Sequence, residues 1–265
     1  MPSLSIIIPT YNSSETIWEA LESIKNQTFQ DLEVLIMDGE SQDATVALVE
    51  KFRIDYPKIA CYVQKDEGVY DAMNKALPIA KGDYLYFFGS DDVLENPHVL
   101  EDVFSEIQGV DFLYGNVRFK KSGEIYSGKS SYEKLVYKQI SICHQAIFYS
   151  KKVFDLVGNY NTKYYVHADH DLNIRCFENE EIKIKYIDKV IAVFNELGLS
   201  GMKSNADGYR NDLTKKIVES NNLLSQIVYE RDKLEAEVKA LKNSRSYKLG
   251  RWFLKPFSYL KSRKK

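Results

Sequence analysis

The chain has 265 residues, 44% hydrophobic and 28% charged, a mixture that suits one globular core with an appendage and excludes a disordered polyelectrolyte. Its formal charge of −2 is unevenly divided: nine Lys/Arg and no acid lie between Lys242 and Lys265, which leaves the first 241 residues at −11. So acidic a body is a poor partner for a phosphate backbone, and nucleic acid is not an expected ligand.

Residues 4–8 (LSIII) read as a buried strand bounded by Pro9. Over residues 14–26, Ile17, Ala20, Leu21 and Ile24 recur at helical spacing, with the preceding serines as N-caps. Residues 32–37 read as a second strand, and the turn Asp38-Gly39-Glu40-Ser41, with Ser41 as cap, leads into a helix carrying Val46, Val49 and Phe52 on one face. Residues 59–63 read as a third strand, 70–80 as a helix, and 84–88 (YLYFF) as a fourth strand that ends at Gly89-Ser90-Asp91-Asp92. This alternation predicts an α/β fold, Rossmann-like, with a mostly parallel central sheet and helices on both faces. Ligands bind such sheets outside the carboxyl ends of the strands, where residues 10–12, 38–41 and 90–92 all fall.

Past Asn96 the pattern turns α+β in character. Two alternating runs, 110–114 and 117–120, flank Gly115-Asn116, and segments 146–149, 172–177 and 182–194 supply further strands and a helix. Three domains are expected: a catalytic body over 1–208, a long helix over 209–244 and a basic tail over 245–265. The helix has no Pro or Gly from Asp212 to Leu241 and carries seven-residue spacing: Ile217, Leu224, Arg231, Val238 on one set, Leu213, Ser220, Ile227, Leu234, Leu241 on the other. Read as a and d positions these make a coiled coil and a homodimer; the alternative is one long helix packed back on the body. Cys61, Cys143 and Cys176 lie far apart without metal-binding spacing and are expected to be reduced, buried side chains. No apolar run approaches the roughly 18 residues that span a bilayer.

Two adjacent carboxylates at a strand end, Asp91-Asp92, are costly to hold together unless a cation sits between them and an anionic substrate; the alternative is a helix N-cap. Asp38-Gly39-x-Ser41-x-Asp43-x-Thr45 adds a second polar turn, where glycine permits close backbone approach. With SIIIPTYNSSETIWEALESIKNQTFQDLEVLIMDGESQDAT, EGVYDAMNKALPIAKGDYLYFFGSDD, CHQAIFYSKKVFDLVGNYNTKY and HADHDLNIR in view, the chain resembles family 2 glycosyltransferases of the GT-A fold over roughly residues 3–200. It is similar to bacterial enzymes that extend lipid-linked O-antigen or exopolysaccharide repeat units.

The resemblance implies a site. Pro9, Thr10 and Tyr11 would border the nucleotide, and Asp38 would hydrogen-bond its base, typically uracil. Asp66, Asp71 and Asn74 match the segment lining the nucleotide-sugar, and Asp92 falls on the same side. Asp91 matches the metal-ligating aspartate of the DxD signature, for Mn2+ or Mg2+, although the first position of that signature is Gly89. Asp169 matches the catalytic base, and the His144-Gln145 pair the acceptor or diphosphate side. His167, His170 and Arg175 read as structural, and no closed zinc pattern fits the histidines.

The expected reaction is inverting transfer from a nucleotide-sugar donor, UDP-linked, to a hydroxyl of a lipid-linked saccharide acceptor in surface polysaccharide synthesis. No separate nucleophile is present for a double displacement. The alternatives are a polyprenyl-phosphate glycosyltransferase and a non-catalytic coiled-coil assembly subunit. The tail SYKLGRWFLKPFSYLKSRKK interleaves Tyr247, Trp252, Phe253, Phe257 and Tyr259 with cations. It reads as an anchor to an anionic membrane surface, which places a cytoplasmic enzyme on the inner face of the cytoplasmic membrane.

Overall fold

The computed structural model describes residues 2–195 and 208–243, apart from the side chains of Ala240, Leu241 and Asn243. Its contacts divide the chain into two compact units, Met1–Arg210 and Asn211–Lys265.

The first unit opens with β1 (Leu4–Thr10), α1 (Ile17–Lys25), β2 (Leu32–Asp38), α2 (Thr45–Asp55), β3 (Ile59–Val63), α3 (Val69–Ala76) and β4 (Tyr84–Phe87). β1 pairs in parallel with both β2 and β4, and β2 with β3. Leu4, Ile6 and Ile8 of β1 join one cluster with Ile17, Ala20, Leu21 and Ile24 of α1, while Ile7 on the opposite face is equally buried. A strand buried on both faces reads as a near-continuous apolar run, as LSIII does with Ser5 its one polar position. Each such apolar side chain contributes roughly 1.5–3 kcal/mol on burial.

β5 (Val93–Leu94), α4 (Val99–Glu106), β6 (Phe112–Phe119), β7 (Ile125–Tyr126) and α5 (Tyr132–Val136) follow, then a 3-10 turn at His144–Ala146, β8 (Ile147–Ser150), α6 (Lys151–Val157), α7 (Ala168–Glu178) and β9 (Ile184–Phe194). The strand order is β3-β2-β1-β4-β8-β6-β9-β5, with β7 on β6. β8 is antiparallel to β4 and β6, and β5 to β9, while β6 and β9 run parallel. The sheet is therefore mixed, and the uninterrupted parallel run ends at β4.

Three local expectations change. The runs about Gly115-Asn116 are one strand, β6, with register irregularities against β9 between Tyr114 and Val117. A Cβ at Gly115 would lie 2.7 Å from the Lys189 carbonyl, so glycine lets the backbones approach, and Asn116 ties the irregular stretch to Asp188, Gly128 and Tyr186. Ser41 does not cap α2; the N-cap residue is Ala44, and Asp43 just before it accepts from Thr45 N at 2.9 Å. Nor do serine side chains cap α1, whose first N–H groups reach the Ser13 carbonyl instead.

α8 (Tyr209–Asn243) supplies the described part of the second unit. Of its seam, Leu224, Ile227, Leu234 and Val238 are 47–61% exposed in the single chain. Among the described residues no helix is long and apolar enough to cross a membrane. The tail from residue 245 lies outside the described residues.

Candidate active site

The ends of β1 and β2 are bound together by Asp38. Thr10 and Asp38 are register partners, and Thr10 Oγ1 donates to Asp38 Oδ2 at 3.0 Å. Ser41 donates to the same carboxylate from its N (2.8 Å) and its Oγ (2.6 Å). Asp38 is fully buried, so its charge orders the turn through these donors instead of facing solvent. Asn12 extends the tie, giving its N–H to Ser41 Oγ and accepting from Gln42 N, both at 2.8 Å. Asn12 and Glu40 have positive φ, at 50° and 64°, a conformation Asn tolerates better than most residues. Beside half-buried Pro9, the loop presents Tyr11, 63% exposed.

Asp66 closes over this turn. A Cβ at Gly39 would lie 2.6 Å from Asp66 Oδ2, so glycine is what admits the carboxylate. Burial raises the Asp66 pKa above the usual carboxylate value. Asp71 accepts from Glu67 N at 3.0 Å and pairs with Lys75 at 2.8 Å. Burial opposes its ionisation, but these partners outweigh it and hold its pKa low. Asn74 braces a neighbouring loop: its amide donates to the Tyr160 carbonyl at 2.9 Å and accepts from Tyr160 N at 3.0 Å.

At the end of β4, Asp91 and Asp92 share one clamp. Asn195 donates from Nδ2 to Asp91 Oδ2 (3.0 Å) and from its backbone N to Asp92 Oδ1 (2.7 Å). Asp92 is 1% exposed, its Oδ2 has no hydrogen-bond partner, and it caps no helix; Asn96 bonds His98 N ahead of α4. Burial first, then the Asp91 charge, pushes Asp92 up to about 7. Gly89 explains the geometry. A Cβ there would stand 2.2 Å from Asp92 Oδ2 and 3.1 Å from Asp91 Oδ1, so both carboxylates reach into the space a side chain at 89 would fill. A divalent cation prefers hard oxygen ligands, and an orphaned buried carboxylate oxygen beside a second carboxylate fits one. Among the described residues no group of three or more His, Cys, Asp or Glu could hold a metal by itself, so a bound anion would have to complete the shell.

Across the site, Asp169 stands at the start of α7. His144 Nδ1 lies 3.6 Å from Asp169 Oδ2, with side chains 13% and 14% exposed. Asp169 Oδ1 accepts from Tyr70 OH at 3.1 Å and from His170 N at 2.8 Å. Burial opposes ionisation of Asp169, but the neighbouring His144 and then His170 outweigh it and hold the pKa below the usual value. Gln145 is buried; its Oε1 accepts from Cys143 Sγ at 2.9 Å and its carbonyl from Tyr86 OH at 2.7 Å. His144 lies close enough to act on both Asp92 and Asp169.

His170 is buried between Ser141 Oγ (2.8 Å from Nδ1) and the Leu135 carbonyl (3.0 Å from Nε2). Burial lowers its pKa, which keeps it neutral and structural. Arg175 pairs with Asp171 at 2.9 Å and donates to the carbonyls of Val157 and Asn159, a brace as expected. The three cysteines are free; Cys176 is buried, while Cys61 and Cys143 are half-buried. Sequence reasoning missed Tyr70 and Asn195. Tyr70 reads as a core residue at helical spacing from Met73, and nothing local distinguishes Asn195.

The mixed sheet, with carboxylates at the ends of its parallel strands and a lone acid opposite, has the architecture of the GT-A fold. Residues 5–157 match the model of the family described as Glycosyl transferase family 2. A relative from Mycobacterium bovis (strain BCG / Pasteur 1173P2), named PGL/p-HBAD biosynthesis glycosyltransferase, is 38% identical over 201 residues, covering 74% of this chain and 78% of its own. A second, from Campylobacter jejuni, is the GalNAc(5)-diNAcBac-PP-undecaprenol beta-1,3-glucosyltransferase, 31% identical over 134 residues, 49% of this chain and 43% of its own. The crystal structure of S. aureus TarS 1-349 in complex with UDP-GlcNAc has the same fold, with a TM-score of 0.62 at 22% identity, covering 74% of this chain and 58% of that one, less than two thirds of its length. The chain belongs to glycosyl transferase family 2 and is a glycosyltransferase.

Proposed function

We propose that this glycosyltransferase is inverting and metal-assisted, and that it moves a sugar from a UDP-linked donor to a hydroxyl of a lipid-linked saccharide in bacterial surface polysaccharide synthesis. One observation carries the reading: Asp169, 3.6 Å from His144, and the Asp91-Asp92 pair come from different segments and meet at the same His144-Gln145 turn. Asp169 takes the proton of the acceptor hydroxyl through Oδ2, while that hydroxyl oxygen bonds to the anomeric carbon. The bond from this carbon to the diphosphate breaks, its electron pair leaves on the diphosphate oxygen, and attack from the opposite face inverts the configuration. A positioned base contributes on the order of 10²–10⁴-fold.

His144 holds the Asp169 carboxylate beside the acceptor, and the Tyr11 ring with the Asp38 and Asp66 turns forms the nucleotide side. Asp91 and Asp92 would hold Mn2+ or Mg2+, whose contribution when bound is to neutralise the charge growing on the diphosphate. UDP-GlcNAc in TarS and the undecaprenol-linked acceptor in the Campylobacter relative's name support the two substrate classes.

Transfer from a panel of UDP- and GDP-sugars with Mn2+ or Mg2+, to lipid-linked saccharides and to polyprenyl phosphate, tests the reading. Asp91→Ala should abolish both turnover and metal-dependent nucleotide binding; retained turnover removes Asp91 from the metal role.

The same proposal covers assembly and location. The exposed seam of α8 would pair with a second copy, and the basic aromatic tail would hold the enzyme on anionic lipid at the inner face of the cytoplasmic membrane. Leu224→Lys should turn a dimer into a monomer by light scattering, and a wild-type monomer would dismiss the pairing. Removal of residues 245–265 should abolish flotation with anionic vesicles, and equal flotation would move the contact to the body.

A further inference from the structure

The turn that carries Asp169 is gripped by a residue from far along the chain. Tyr209, the first residue of α8, falls within the first compact unit and is 3% exposed. Its ring lies 5.3 Å from that of His167 at an interplanar angle of 12°, 5.3 Å from His170 at 46°, and 4.9 Å from Tyr164 at 78°. These three rings lie immediately before and after Asp169. His167 is the residue preceding α7, and its carbonyl accepts the first-turn N–H of Asp171 at 3.0 Å. His170 supplies the N–H that Asp169 Oδ1 accepts. The Tyr209 ring thus packs on side chains that flank Asp169 at the first turn of α7.

We propose that Tyr209 is a positioning residue for Asp169, and that the C-terminal helix therefore begins as a working part of the catalytic unit. The inference rests on the reading of Asp169 as the base. Tyr70 holds the same turn from α3, its OH donating toward the Val166 carbonyl at 2.8 Å and Asp169 Oδ1 at 3.1 Å. Packing against two aromatic side chains from distant segments leaves the carboxylate one orientation, with Oδ2 toward His144. Loss of the Tyr209 ring would free His167 and His170 to shift, and the base would move with them. A displacement of about 1 Å in a reacting group can lower a rate by roughly a hundredfold. The nucleotide side rests on β1, β2 and β4 and does not depend on this packing.

The test compares Tyr209→Ala, Tyr209→Phe, His167→Ala and the double variant Tyr209→Ala/His167→Ala in the full chain, with kcat, donor KM and melting temperature measured for each. Tyr209→Ala and His167→Ala are expected to lower kcat about tenfold or more while donor KM stays within about twofold, and the double variant to be no worse than either. Tyr209→Phe, which keeps the ring, should restore kcat. If Tyr209→Ala does not fold, Tyr209→Leu carries the comparison, since it keeps bulk and loses the ring. Unchanged kcat in the folded variants, or independent losses at 167 and 209, overturns the proposal. Asp169→Asn in parallel separates the two ideas: its full activity would sink the base assignment, whereas its inactivity beside normal Tyr209 variants would sink only the positioning role.

Discussion

In the parallel half of the sheet, Asp38 and Asp91 each follow a strand end, and their hydrogen-bond partners come from neighbouring turns or, for Asp91, from Asn195. In the mixed half a single acid, Asp169, is surrounded by Tyr70, His144 and His170, drawn from three segments of the chain. Charge is handled differently in the two. The parallel half buries carboxylates among hydroxyls, N–H groups and each other, which leaves Asp92 near neutral pH in its proton affinity. The mixed half puts imidazoles beside its carboxylate and keeps it ionised. Two acids whose surroundings push their proton affinities apart fit the proposed division of labour, in which Asp169 would receive the acceptor's proton and Asp92 would take up positive charge.

The largest test of that division is Asp169→Asn, which should lower turnover by about 10²-fold or more while nucleotide affinity, measured by calorimetry, stays nearly unchanged. A loss of nucleotide affinity with turnover intact would merge the two halves into one binding site. Next comes Gly89→Ala. The new methyl would fall 2.2 Å from Asp92 Oδ2, so the buried carboxylate must move, at about 1–3 kcal/mol in stability. Metal-dependent nucleotide binding should weaken, and an unaltered melting temperature and affinity would show that the paired carboxylates do not need that space.

The smallest effect concerns pH. Asp92 has a native pKa near 7 against a reference of 3.8, so between these values the unfolded chain has lost a proton that the native one keeps. Stability of the ligand-free protein therefore falls as pH rises from about 4, and the penalty is complete above about 7. Asp92→Asn removes that dependence, so its melting temperature should gain on wild type at pH 8 more than at pH 5. An equal difference at both values would mean that Asp92 is not held protonated.

How much of this could be read before the fold was known differs by half. The apolar run LSIII, the strands before Asp38 and Asp91, and the helices between them follow from periodicity and strand-end polarity, which are local properties. For that reason the parallel half and the identity of its carboxylates were legible. The two runs read on either side of Gly115-Asn116 are one strand because glycine signals both a turn and a close backbone approach, and only the Lys189 carbonyl packed against Gly115 decides for the second.

The residue types of the site, with the three acids Asp38, Asp91 and Asp169 in place, were determined by the sequence alone. Their states were not. Asp38 is closed off by Thr10 and Ser41, Asn74 is a brace on Tyr160, and Asn195 joins Asp91 to Asp92 across more than a hundred positions. Proton affinity depends on burial and on charges within a few ångströms, and those neighbours come from segments that only the tertiary fold brings together.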